Sequence, residues 1–120
     1  MAQLSKKQAR QRRHRRVRGR IAGTAEVPRL AVFCSDRHVY AQLIDDDAGK
    51  TVLSASTQDT DSRTAELRGD VAGATNIGKK LAEKATEAGV RRAVFDRGGF
   101  RFHGRVKAVA EGAREGGLHL

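Results

Sequence analysis

The sequence predicts an α/β fold: a basic N-terminal arm, possibly helical, followed by a βββαβα two-layer sandwich in which helices cover one face of a mixed sheet. Three observations carry this. The hydrophobic period is two over residues 29–56 and becomes three to four over 71–88 and 105–115. The alternating segments follow one another across short turns before the first core helix, which is the pattern of an antiparallel meander. Charge is also segregated. Residues 1–29 hold ten Lys or Arg and one acid, a net of +9, whereas the rest of the chain holds fourteen basic groups and thirteen acids. The formal charge of +10 therefore belongs almost wholly to the N-terminus, and the body is nearly neutral.

Taken in order, Lys6 to Arg20 reads KKQARQRRHRRVRGR, with nine Lys or Arg in fifteen residues. Charge this dense repels itself and needs a polyanion to gather it. Gln3, Gln8, Ala9 and Gln11 are good helix formers, so the arm is expected to become helical once neutralised. Ile21 to Val27 is a small-residue connector closed by Pro28, which places the arm and connector at 1–27 and one α/β body at 28–120. In RLAVFCS, Leu30, Val32 and Cys34 share one face, and Arg29, Phe33 and Ser35 the other; Asp36 and Arg37 turn the chain. In HVYAQLI, Val39, Ala41 and Leu43 alternate with His38, Tyr40 and Gln42. An acidic turn, Asp45 to Gly49, leads to TVLSAST, where Leu53 and Ala55 oppose Val52, Ser54 and Ser56. Gln58 to Gly69 is polar and reads as a loop. Asp70 then caps a helix with Val71, Ala74, Ile77, Gly78, Leu81, Ala85 and Ala88 along one stripe, stopped by Gly89. Val90 to Phe95 is a fourth strand, Asp96 to Gly104 a loop, and Arg105 to Glu115 a last helix with Val106, Val109, Ala110 and Ala113 inward.

A body of about ninety residues can bury one core. The single cysteine, Cys34, excludes an internal disulfide, and no apolar run reaches bilayer-spanning length, so a cytoplasmic protein is expected. The arm's Leu4, Ala9 and Val17 are too few and too small to form a membrane-facing stripe. Arginine outnumbers lysine seven to two in the arm, which favours bidentate phosphate contacts and stacking on bases. Nucleic acid is thus the expected partner, through Arg10, Arg12, Arg13, Arg15, Arg16, Arg18 and Arg20. Arg29, Ser35, Arg37, His38, Tyr40 and Gln42 lie on or beside the polar sheet face. That face reads either as an ordinary solvated surface or as a platform for RNA bases. The loop FDRGGFRFHGRV adds Arg97, Arg101, His103 and Arg105 among glycines and aromatics, a composition suited to phosphate contact and base stacking. The histidines and Cys34 show no metal-ligand spacing. Asp45, Asp70 and Asp96 could be imagined as a nuclease site, yet turn and cap roles account for them and no general base stands out. No enzyme, metal or cofactor is expected. Composition by itself reads as a general basic RNA- or DNA-binding protein.

RQRRHRRVR, GTAEVPRLAVFCSDRHVYAQLIDDDAGKTVLSAST, IGKKLAEKA and VFDRGGFRFHGRVKAVAEGAREGGL, in that order, resemble the bacterial large-subunit ribosomal protein family that binds 5S rRNA, the eighteenth in the subunit's numbering. PRLAVF and FDRGGFRFHGRVKA carry the resemblance most specifically. It implies a structural role: binding 5S rRNA and, with the other 5S-binding proteins, docking it onto 23S rRNA in the central protuberance. The family often has Tyr where Phe102 stands, so that hydroxyl is missing here.

Overall fold

A computed structural model of the chain describes residues 5–19, 21–35, 37–57, 70–97, 100 and 102–120. The loop expected over 58–69 and the turn residue Asp36 lie outside the described residues. Seven elements follow one another: α1 (Lys6–Arg18), β1 (Arg29–Cys34), β2 (Val39–Asp45), β3 (Lys50–Ser56), α2 (Val71–Glu87), β4 (Val94–Asp96) and α3 (Gly104–Glu115). The strands form one sheet in the order β3-β2-β1-β4, antiparallel except where β4 runs parallel to β1.

The alternation in the sequence sets which side of the sheet is dry. Leu30, Val32 and Cys34 on β1, Val39, Ala41 and Leu43 on β2, and Ala55 on β3 are all buried. They meet Ala74, Ile77, Leu81 and Ala85 of α2 and Val106, Val109 and Ala113 of α3. Each large aliphatic side chain removed from water here contributes about 1.5–3 kcal/mol, which is why α2 and α3 cover this face. Register slips once, between Leu43↔Leu53 and Ile44↔Thr51, so Val52 bulges out of the edge strand. The bulge and the exposed polar residues around it blunt an edge that could otherwise pair with another chain.

Helix α2 starts as expected: the Asp70 carboxylate accepts from the Gly73 N–H at 2.8 Å. Val71, read as part of the buried stripe, is half exposed because it sits in the first turn, beyond the reach of the sheet. Gly89 follows the helix at φ +80°, where a Cβ would be strained. The Val90 N–H is spent on the Ala85 carbonyl at 2.8 Å, completing the helix end. That is why the fourth strand begins at Val94 rather than Val90. Residues 91–93 pair instead with the C-terminal tail, Arg92 opposite His119.

The two core helices touch backbone to backbone. A Cβ built on Gly78 would strike the Val109 carbonyl oxygen and come within 2.7 Å of the Ala113 nitrogen; one on Gly112 would strike the Thr75 carbonyl. Neither helix can yield without lifting off the sheet. Gly78→Ala is expected to cost about 3 kcal/mol in urea unfolding, while Glu83→Ala on the outer face stays within about 0.5 kcal/mol.

Candidate nucleic-acid interface

The basic arm is a helix in its own right, held at its start by a reciprocal cap. The Gln8 N–H donates to Ser5 Oγ at 3.1 Å and the Ser5 N–H to Gln8 Oε1 at 2.9 Å. Arg15, Arg16 and Arg18 stand in its last turn, where the helix dipole favours cations. The neutralising partner expected for the arm is partly the protein itself. Arg10, His14 and Arg18, four residues apart on one side of α1, reach down to the sheet and its flanking turn. The Arg10 guanidinium lies over the rings of Phe100 and Phe33, at 4.8 and 5.9 Å from their centroids. His14 Nε2 is 3.0 Å from Asp96 Oδ2, and Arg18 is 3.4 Å from Asp46. Arg12, Arg15 and Arg16 point the other way, exposed, and make no ion pair among the described residues. Arg13 is half-buried and interacts within the protein. Arg20 lies outside the described residues.

Beneath α1 sits a carboxylate cluster that sequence reasoning missed. Arg29, read as part of an open polar face, is buried and fully committed. It donates in bidentate fashion to Asp46 (Nε to Oδ2 and Nη2 to Oδ1, both 3.1 Å) and to Asp96 through Nη1 at 2.7 Å. Burial alone would weaken its charge, but the two carboxylates more than offset this and push the guanidinium pKa up. Asp46 Oδ2 also accepts from the Gly23 N–H at 2.6 Å, and Gly23 returns its carbonyl to the Asp46 N–H at 3.0 Å. The Arg29 and Gly23 donors pull the Asp46 carboxyl from 3.8 down to about 2. Asp96 is completely buried and shared between Arg29 and His14. It is not the loop residue expected, because it ends β4 with its carboxylate turned inward. An acid buried at the end of a strand calls for a basic partner, and Arg29 occupies the facing strand two residues before Ala31, which pairs with Asp96.

Phe33, half exposed, continues into a row of rings across the open face. Phe33 stands 6.0 Å from both Phe100 and Tyr40, and Tyr40 stands 6.4 Å from the His38 ring. Helix α1 roofs part of this row, leaving a cleft of about 480 Å³ between Arg10, Gln11 and His14 above and Phe33, Tyr40 and Gln42 below. Ser35 belongs to the turn: its N–H donates to the His38 carbonyl at 2.9 Å and its Oγ accepts from the His38 N–H at 3.2 Å. His38 Nδ1 is 3.0 Å from Thr57 Oγ1, which also accepts from the Val39 N–H, so buried Thr57 orients the ring. Arg105 is drawn inward, donating to the Ser35 carbonyl at 2.6 Å and tying the loop to the sheet. Phe102 is exposed and rests edge-on against Phe95, while Phe100 takes the core-facing place. Arg37 and His103 are exposed, Arg97 is half-buried, and Arg101 lies outside the described residues.

Contacts tie two neighbouring parts to the aromatic face: α1 through Arg10, and the loop before α3 through Phe100 and Arg105. Guanidiniums next to exposed rings suit phosphate contact and base stacking together. Among the described residues no three His, Cys, Asp or Glu converge to hold a metal ion, and no helix is long and apolar enough to cross a membrane. Burial pushes the Cys34 thiol up, away from nucleophilic use.

Comparison with known proteins agrees in kind. Residues 4–120 match the family model described as ribosomal L18 of archaea, bacteria, mitochondria and chloroplast. The chain is 54% identical to large ribosomal subunit protein uL18 of Herpetosiphon aurantiacus over all of both chains. It is 54% identical to that of Solibacter usitatus, over 98% of this chain and 97% of the relative. It is 48% identical to that of Staphylococcus aureus, over 100% and 99%.

The lowered pKa of Asp46 sets the sign of the acid response. Its contribution to stability is fully present above the unfolded value of 3.8 and is lost as pH falls toward about 2. Urea unfolding should therefore show stability declining across that window, with Asp46→Asn less stable at neutral pH and flatter below pH 4. Arg29→Met, which strands two carboxylates, should cost about 3–5 kcal/mol.

Proposed function

The chain belongs to the ribosomal L18 family, and from that premise we propose that it binds 5S rRNA and, with the other 5S-binding proteins, helps attach it to 23S rRNA in the central protuberance. As a family member it is a structural constituent of the large ribosomal subunit, and its relatives are ribosomal proteins rather than enzymes. In the cell it would act in the cytoplasm, on the ribosome.

The observation that carries the RNA-binding reading is the outer row of α1. Arg12, Arg15 and Arg16 are exposed on a helix whose inner row is already taken up, Arg18 by Asp46, His14 by Asp96 and Arg10 by the rings of Phe33 and Phe100. The helix is thus held at the edge of an aromatic face while its outer guanidiniums stay available for phosphates. In this reading those three arginines supply most of the salt-sensitive affinity. Arg37, His38, Tyr40, Gln42, Arg97 and His103 meet the folded RNA and recognise its shape. Arg10, Arg18, Arg29, Ser35 and Arg105 act indirectly, by holding helix, sheet and loop in one geometry.

Binding of 5S rRNA against a tRNA competitor across a range of salt tests this. The wild-type chain should prefer 5S rRNA, and the Arg12→Ala, Arg15→Ala, Arg16→Ala triple variant should make the slope of log K on log salt less negative by roughly 2 to 3. His38→Ala with Arg97→Ala should reduce the 5S preference while leaving that slope nearly unchanged. A wild-type chain with no preference for 5S rRNA would sink the proposal.

A further inference from the structure

We propose that Thr57 is a positioning residue for RNA recognition: it fixes the His38 ring with its hydrogen on Nε2 and turns that N–H outward, toward an acceptor on the edge of an RNA base. This rests on the RNA-binding reading above and names the chemistry of one part of that site. The backbone around the ring is held first. The His38 N–H donates to Ser35 Oγ at 3.2 Å, and its carbonyl accepts from the Ser35 N–H at 2.9 Å. Thr57 continues the β2–β3 pairing one residue past Tyr40↔Ser56. Its N–H donates to the Val39 carbonyl at 3.1 Å, and its Oγ1 accepts from the Val39 N–H at 3.1 Å. A buried β-branched side chain has little rotational freedom, so the hydroxyl stays aimed at His38 Nδ1, 3.0 Å away.

The hydroxyl decides the tautomer. Thr57 Oγ1 already accepts from the Val39 N–H, and it has one hydrogen to donate. Among the described residues His38 Nδ1 is the one partner left for that hydrogen. If Nδ1 carried the ring hydrogen, two donors would face each other and a buried hydroxyl would lose its acceptor, a loss large enough to select one tautomer. Nδ1 is therefore the bare nitrogen and the hydrogen sits on Nε2. Nε2 bonds to nothing among the described residues. No buried side-chain nitrogen or oxygen there lacks a partner, so Nε2 is open to solvent.

The neighbours of this N–H indicate what it meets. The Tyr40 ring stands 6.4 Å from His38, tilted by 58°, and 6.0 Å from half-exposed Phe33. A base resting against these rings brings its edge to the imidazole. A carbonyl oxygen or bare ring nitrogen on that edge accepts from Nε2–H, whereas an exocyclic amino group meets it donor to donor. Phosphate is the better partner for exposed Arg37, next in the chain, whose charge and planar fork suit it.

The test joins two measurements on the full chain. Long-range nitrogen–proton correlation NMR of the free protein at mildly alkaline pH reads which His38 nitrogen carries the hydrogen. Binding of 5S rRNA and of tRNA reads the consequence. The wild type should show Nε2–H alone. Thr57→Val, which keeps the shape and removes the hydroxyl, should give a mixture of tautomers. It should weaken 5S rRNA binding about fivefold and leave tRNA binding within about twofold. Thr57→Ser should behave as the wild type in both. In a His38→Ala background, Thr57→Val should weaken 5S binding no further, because Thr57 acts through the ring. Urea unfolding checks that each variant is folded in the assay; if Thr57→Val is not, Thr57→Ala, which lets water reach the Val39 N–H, replaces it. The proposal is overturned if wild-type His38 carries Nδ1–H, if the variant without the hydroxyl keeps Nε2–H alone, if its 5S affinity is unchanged, or if the losses from Thr57→Val and His38→Ala add. Equal losses for 5S rRNA and tRNA would assign the N–H to phosphate and overturn the base contact. Should the wild-type chain show no preference for 5S rRNA, the function proposed above fails separately. The positioning role is then read from the free chain: a mixture of tautomers in Thr57→Val upholds it, and Nε2–H alone overturns it.

Discussion

Arg29 is the residue on which the rest of the molecule depends. Its guanidinium joins β1 to the turn after β2 through Asp46 and to the end of β4 through Asp96. The same two carboxylates reach α1 through Arg18 and His14, and the connector through Gly23. A buried cation is tolerable only when paired and hydrogen-bonded, and here each carboxylate takes more than one donor. One side chain thus sets the register between three strands and the angle at which the arm crosses them.

This arrangement resolves the problem posed by a +9 arm on a nearly neutral body. A helix with a cation at most positions would repel itself in isolation. Docking spends Arg10, His14 and Arg18 on rings and carboxylates of the body, and the remaining repulsion is spread along the solvent side. The charges left over are those on the outer row. Asp46 of the acidic turn is therefore part of the apparatus that presents the basic residues, and the near-neutrality of the body is what allows the arm to fold onto it.

The packing beneath the sheet has a complementary consequence. Because α2 and α3 meet at Gly78 and Gly112, backbone against backbone, both fit over a single face of a four-stranded sheet. The other face is left for the aromatic row and α1. Arg105, at the start of α3, then links the loop to the Ser35 turn, so the position of the core helices is transmitted to the top of the interface.

The local and periodic features were legible in the sequence. Alternation of Leu30, Val32, Val39, Ala41 and Leu43 against polar neighbours determined which face of the sheet is dry, because side-chain direction in a strand has a period of two. Asp70 and Gly89 marked the ends of α2 by their own capping chemistry, and the charge of the arm announced a polyanion. Tertiary structure alone decided what depends on residues far apart in the chain. Nothing near Arg29 in sequence says that Asp96, 67 residues away, needs its charge. Nothing near Val90 says that its N–H finishes a helix instead of starting a strand. Nor does composition separate Arg12, which faces solvent, from Arg18, which faces Asp46. Periodicity is a property of a segment, whereas an ion pair is a property of two segments brought together. For that reason the fold could be read from the chain, and the division of its arginines between those spent within the protein and those left exposed could not.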